Sequence, residues 1–127
     1  MAKRKAKRPT DAELIILNVL WEQGPATVRQ VNRTLNESRP TGYTTTLKQM
    51  QVMTAKGLLV RDESRRPQLY RPAFSQEKTR RQLVEHLMDG AFGGSARKLV
   101  LQVLRVKDVS AGELSRVEKL LNEMEGE

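Results

Sequence analysis

Apolar residues recur along most of this chain at spacings of three and four, which is typical of amphipathic helices. The first such stretch begins after Thr10 or Asp11, either of which can cap a helix, and Glu13 lies in its first turn. Its apolar positions cover much of the circumference, so the pattern predicts a helix that is largely buried. The predicted core residues of this helix are Leu14, Ile15, Leu17, Val19, Leu20 and Trp21.

A second helix is predicted after the breaker Gly24-Pro25. Thr27 and Gln30 have the spacing of a capping box at its start. Its predicted buried stripe consists of Val28, Val31 and Leu35.

The third predicted helix starts near Thr41 or Thr44, either of which can supply a capping oxygen, and stops at Gly57. Its core-facing positions are Leu47, Met50, Met53 and Thr54. Its other face carries hydroxyls, amides and a lysine, which suit hydrogen bonding to base edges and phosphates in a DNA groove. A solvated polar face is the alternative interpretation. The candidate DNA-reading residues are Thr44, Thr45, Lys48 and Gln51.

Two short β-favouring runs, LLVRDE and QLYRP, follow this helix and are separated by a turn-like segment from Ser64 to Pro67. The order of helix, helix, turn, helix and hairpin predicts a winged helix-turn-helix domain over residues 10–74. The hairpin is rich in arginine, and we expect Arg61, Arg65 and Arg66 to contact DNA.

Beyond Ser75 the pattern changes to capped amphipathic helices, with an interruption at Gly93-Gly94 and caps predicted at Ser95 and at Ser110 with Glu113. Three short helices with apolar stripes need a surface to bury against, and a symmetric pair of chains is the commonest solution. We therefore expect residues 75–127 to form a helical homodimerisation domain. Its predicted contact residues are Leu83, Leu87, Leu99, Val103, Leu114, Val117 and Leu121.

Charge separates the two parts of the chain. Residues 1–74 contain 14 Lys and Arg against 6 Asp and Glu, whereas residues 75–127 contain 9 of each. The basic part favours a polyanionic partner, and the neutral part favours packing on itself. Residues 1–9 are predicted to be a disordered basic arm, either a solubilising tail or an extension that follows phosphates.

Several other classes of function lack the residues they need. The chain has no cysteine, which excludes disulfides and cysteine metal sites. His86, with Glu85 and Asp89 nearby, fits a solvated helix face better than a metal site. No nucleophile elbow or phosphate-binding glycine loop occurs, so we predict no enzyme activity, cofactor or metal. Without an apolar span or signal peptide, we expect a cytoplasmic protein with no membrane insertion.

The chain resembles the penicillinase-repressor family, the BlaI/MecI type of bacterial regulators, over about residues 10–125. The motifs that carry the resemblance, in order, are PTDAELIILNVLW, GPATVRQV, YTTTLKQMQVMTAKGLLVRD, FGGSARKLVLQVL and LSRVEKLL. The resemblance implies a dimeric repressor that binds a palindromic promoter operator.

The family pattern is not matched everywhere. Family members often have arginines where this chain has Leu47 and Val52, and the copper-responsive branch uses a C-terminal cysteine motif that is absent here. In the penicillin-responsive branch the repressor is released when a protease cuts an Asn-Phe bond, and the matching bond here is Gln102-Val103.

The sequence pattern thus predicts a mainly α protein with a small β-hairpin, and the resemblance implies that it acts as a sequence-specific repressor of transcription. It is expected to bind double-stranded DNA at an inverted repeat as a homodimer, and to be released by a regulatory protease or by loss of the dimer. The alternative is a nonspecific architectural DNA-binding protein, which would share the basic arm and wing but would not need a discriminating helix.

Overall fold

The computed structural model describes residues 8–125, which form six helices and one antiparallel hairpin. The elements in chain order are α1 (Asp11–Gln23), α2 (Val28–Ser38), α3 (Tyr43–Ala55), β1 (Leu59–Asp62), β2 (Leu69–Pro72), α4 (Gln76–Ala91), α5 (Ala96–Val106) and α6 (Ala111–Glu125). This mainly helical architecture confirms the predicted fold class. Most of the predicted basic arm lies outside the described residues, and Pro9, at its end, is buried.

The chain divides into two compact units between Arg80 and Arg81, a point that falls within α4. The first unit contains α1, α2, α3, the hairpin and the start of α4. The second contains the rest of α4, α5 and α6.

The core of the first unit lies where the three helices meet the hairpin. Its buried side chains are Ile16, Leu17, Leu20, Ala26, Val28, Val31, Met50, Met53, Leu58, Leu59 and Tyr70. The prediction that Ile15 belongs to this core is wrong, because its side chain is 52% exposed. Ile16 is buried in its place, since it is one position further round the helix and on the side that faces α2 and α3.

Short-range capping was predicted correctly for the first two helices. Both have complete capping boxes, one from Thr10 and Glu13 and the other from Thr27 and Gln30. The predicted side-chain cap of α3 from Thr41 or Thr44 is wrong: Gly42 is the N-cap residue, and it has no side chain to offer.

The hairpin is joined to the loop between α1 and α2 by main-chain hydrogen bonds. Within it, Val60 lies opposite Arg71 and Arg61 lies opposite Tyr70. Ala26, in the loop between α1 and α2, exchanges two backbone hydrogen bonds with Tyr70, at 3.0 and 2.8 Å. These bonds fix the hairpin, which is the wing of the fold, to the loop that precedes α2.

The second unit has little interior of its own. Among its described residues, Leu101 is the one buried side chain. Ser95 caps α5 through its hydroxyl as predicted, and the Glu113 backbone N–H donates to the Ser110 hydroxyl at the start of α6. Gly94 has φ +81°, a left-handed conformation that suits the predicted break after α4. None of the helices in residues 8–125 is long and apolar enough to cross a membrane.

Candidate nucleic-acid interface

The start of α3 is held by two asparagines of α2. Asn32 Nδ2 donates to the Thr41 carbonyl at 3.0 Å and to Thr46 Oγ1 at 2.9 Å. Asn36 Nδ2 donates to the same carbonyl at 2.9 Å, and Asn36 Oδ1 accepts from the Thr41 backbone N–H at 3.0 Å. Side chains of α2 therefore fix the turn before α3, although Gly42 supplies no side-chain cap.

The end of α3 is held by an ion pair with α1. Lys56 Nζ lies 2.7 Å from Glu13 Oε2, and the Glu13 side chain is almost completely buried. Burial acts to raise the pKa of Glu13, but hydrogen bonds from Lys56 and Thr10, together with the Lys56 charge, leave it below its ordinary value. Glu13 thus closes the capping box of α1 and fixes the last turn of α3.

With both ends fixed, α3 presents one face to the core and one to solvent. Thr46, Met50 and Met53 are fully buried on the inner face. The predicted reading residues lie together on the outer face, and all four are exposed: Thr44, Thr45, Lys48 and Gln51. An α-helix with a polar outer stripe has the shape and the hydrogen-bonding groups that the DNA major groove accepts.

The three hairpin arginines that are predicted to contact DNA lie in two different environments. Arg65 and Arg66 are exposed in the turn between β1 and β2. Arg61 instead lies on the face that carries the buried Tyr70, and its guanidinium is 2.6 Å from Glu63 Oε1. That contact, with a smaller contribution from Tyr70, raises the pKa of Arg61. The structure therefore brings Arg65 and Arg66 together but pairs Arg61 with a carboxylate.

A short hydrogen-bonded turn shapes the tip of the hairpin. Asp62 Oδ1 accepts from the Ser64 hydroxyl at 2.6 Å and from the Ser64 backbone N–H at 3.0 Å. These bonds lower the pKa of Asp62. The Asp62 carboxylate is therefore hydrogen-bonded to Ser64, the residue that immediately precedes Arg65.

Sequence reasoning missed one contact beside the reading residues. The guanidinium of Arg29, in the first turn of α2, lies 5.6 Å from the ring centroid of Tyr43, the first residue of α3. This distance is within the range of a cation–π interaction. Because the two residues are 14 positions apart, no spacing rule indicates it.

The predicted dimerisation residues all fall on the helices of the second unit. Leu87 and Val103 are exposed in the single chain. The others are partly buried: Leu83, Leu99, Leu114, Val117 and Leu121. Gln102 and Val103, which flank the predicted cleavage bond, are both exposed and lie within α5.

Three helices followed by an antiparallel hairpin, with the third helix exposing a polar face, define a winged helix-turn-helix protein of the DNA-binding class. Comparison with known proteins agrees with this class. The sequence model of the penicillinase repressor family matches residues 9–123, and the chain belongs to this family.

Two relatives of this chain are named as the transcriptional regulator BlaI of Mycobacterium tuberculosis, from strains CDC 1551 / Oshkosh and ATCC 25618 / H37Rv. Each is 29% identical to it over 122 residues, which is 95% of this chain and 88% of the relative. The protein is accordingly a transcriptional repressor, and its family is one of regulators rather than enzymes.

Proposed function

We propose that this repressor binds an inverted-repeat operator in double-stranded DNA as a homodimer, with α3 of each subunit in the major groove. The observation that carries this proposal is the division of α3 into a buried face at Met50 and Met53 and an exposed polar face. Lys48 and Gln51 match the hydrogen-bonding patterns of guanine and adenine. Thr44 and Thr45 complete the set of reading residues near the N-terminus of the helix, where their hydroxyls can bond to base edges or to phosphates.

In this proposal the wing contributes affinity rather than sequence choice. Arg65 and Arg66 are exposed, and neither is in an ion pair among those found in residues 8–125. Exposed guanidinium groups bind phosphates of any sequence and release counterions. Arg61 forms an ion pair with Glu63. In DNA binding it either stabilises the shape of the hairpin through this pair or leaves Glu63 and binds a phosphate instead.

The homodimer is supported by the second unit. A helical unit whose described residues bury one side chain, Leu101, cannot be stabilised by its own core. Its exposed apolar residues occur on all three helices and include Val84, Leu87, Val103, Leu120 and Met124. A second copy of the same surface would bury them, and a two-fold dimer would match an inverted repeat.

Release from the operator would follow loss of the dimer. A cut at Gln102-Val103, by a regulatory protease, would separate α6 and the end of α5 from the rest of the chain. Both side chains are exposed, but the bond lies inside a helix, so α5 must open locally before a protease can bind it as an extended strand.

Selection from a random duplex pool tests the proposal directly. We expect it to recover an inverted repeat whose half-site centres are about 10 base pairs, or a multiple, apart. The logarithm of the association constant should fall linearly with the logarithm of salt concentration. Binding that is blind to sequence would favour an architectural role instead, and a preference for single strands would overturn the proposal.

A further inference from the structure

An apolar side chain interrupts the polar outer face of α3. Val52 is 45% exposed, whereas the buried face of the helix is made by Thr46, Met50 and Met53. It lies one turn beyond Lys48, and Gln51 precedes it directly. Side chains four residues apart on a helix are neighbours on its surface. Val52 is therefore part of the same surface as the proposed reading residues.

A valine at this place can recognise only an apolar feature of DNA. Its side chain has no hydrogen-bond donor or acceptor, so it cannot bond to a phosphate or a base edge. Among the base edges of the major groove, the C5-methyl group of thymine is the one apolar feature. Contact between the two would remove both from water, which is favourable without any hydrogen bond.

Resting on the proposed function, we infer that Val52 is a specificity-determining residue that selects thymine in each operator half-site through its C5-methyl group. Lys48 and Val52 are separated by a rise of about 6 Å along the helix axis. Base pairs stack about 3.4 Å apart along the duplex. The selected thymine therefore lies within about two base pairs of the base that Lys48 contacts.

Replacement of thymine by deoxyuridine tests this inference without changing base pairing. Each thymine of the operator recovered by selection is replaced in turn, in both half-sites together, and the affinity of the full-length protein is measured. Removing one buried methyl group corresponds to about a fourfold loss per half-site, or about 15-fold for the symmetric pair. We expect that loss at one thymine position and little change at the others.

The Val52→Ala variant assigns the effect to this side chain. Alanine has the higher helix propensity, so the substitution leaves α3 intact. For this variant the ratio of affinities for thymine and uracil operators should fall below about twofold, because loss of the two γ-methyl groups removes most of the apolar surface that can contact the base. Ile15→Ala is the matched control, since it shortens an exposed β-branched side chain on α1. It should keep the wild-type ratio.

The outcomes separate this inference from the proposed function. If no duplex sequence is preferred, the proposed function fails and the inference fails with it. If an operator is recovered but no thymine position is sensitive to the methyl group, the inference alone is overturned. It is also overturned if Val52→Ala retains the wild-type ratio, or if Ile15→Ala loses it equally.

Discussion

At the scale of single residues, Glu13 links two elements that must keep a fixed geometry. Its carboxylate accepts from the Thr10 backbone N–H at 2.9 Å and from Lys56 Nζ at 2.7 Å. A buried carboxylate is costly without such partners, and each charged hydrogen bond contributes about 1.5 to 3 kcal/mol when made. The pair therefore stabilises the first unit and holds the end of α3.

Removal of the lysine should destabilise the protein in a way that depends on pH. We expect Lys56→Met to lower the free energy of unfolding by about 1 to 3 kcal/mol at pH 7. Because the pKa of Glu13 is lowered on folding, the stabilisation is complete above its ordinary value of 4.5 and is lost as pH falls through the lower, folded value. Urea unfolding at pH 7 and at pH 3 measures the difference.

The control for that prediction is Lys48→Met, which removes an exposed lysine from the same helix. It should change stability by less than about 0.5 kcal/mol at either pH. The ion pair does not stabilise the protein in this way if both variants are destabilised equally. The same conclusion follows if the loss of unfolding free energy in Lys56→Met stays constant down to pH 3.

Some residue-level features could be predicted from the sequence, and others could not. The capping boxes were predictable because their partners lie three positions apart. The Glu13 and Lys56 contact spans 43 residues, so only the folded chain reveals it. Consecutive isoleucines at 15 and 16 both fit a helix that is apolar on most sides. Tertiary packing, rather than local pattern, decides which of them is buried.

At the scale of elements, α3 and the hairpin expose different chemistry. The helix offers amides, hydroxyls and one lysine in a fixed row, whereas the hairpin turn offers two arginines at a tip. Hydrogen-bonding groups in the groove discriminate between bases, whereas exposed cations bind the phosphate backbone. The order of these elements could be predicted from helix-breaking residues and β-favouring runs in the sequence. The orientation of the Arg61 side chain could not be predicted, because it depends on the strand register that places Arg61 opposite Tyr70.

Substitutions in the two elements should therefore have different signatures. Lys48→Ala or Gln51→Ala should relax base choice at particular operator positions, at a cost of about 1 to 3 kcal/mol on the preferred sequence. The double substitution Arg65→Ala and Arg66→Ala should weaken binding to all sequences. It should also reduce the slope of the logarithm of the association constant against the logarithm of salt concentration, by about one for each phosphate that is no longer neutralised. Binding titrations on matched and mismatched duplexes at several salt concentrations distinguish the two.

A double substitution of Arg116 and Lys119 by alanine removes the same charge from exposed positions on α6 and serves as the control. Its salt dependence should be that of the wild type. A change of base preference in the hairpin variant, with none in the α3 variants, would mean that the reading element has been assigned to the wrong part of the fold.

At the scale of the whole molecule, the two units differ in what they can do alone. The first has a continuous core and a basic surface, whereas the second exposes apolar side chains and carries balanced charge. Two DNA-binding units held in one dimer bind their second half-site at a high effective concentration, which raises affinity about 100-fold or more without any additional interaction with DNA. Operator affinity should then depend on residues that never touch DNA.

Cleavage within α5 should release the operator by this route. A specific protease site engineered between residues 101 and 104 leaves every proposed DNA-binding residue in place, and a version that the protease cannot cut is the control. After cleavage we expect the native mass to fall to that of a single subunit and operator affinity to fall about 100-fold or more. Affinity for an isolated half-site should be unchanged.

The engineered site inside α5 could itself prevent dimerisation before any cut is made. A second protease site at residues 108–110, in the turn before α6, avoids this problem because it leaves α5 unchanged. Detachment of α6 removes Leu114, Val117 and Leu121, so this cut should also weaken the dimer and the operator complex together. Light scattering and operator titration before and after cleavage give both quantities. If both cut proteins remain dimeric and bind the operator as tightly as before, release depends on something other than these helices, and the proposed control through the dimer is wrong.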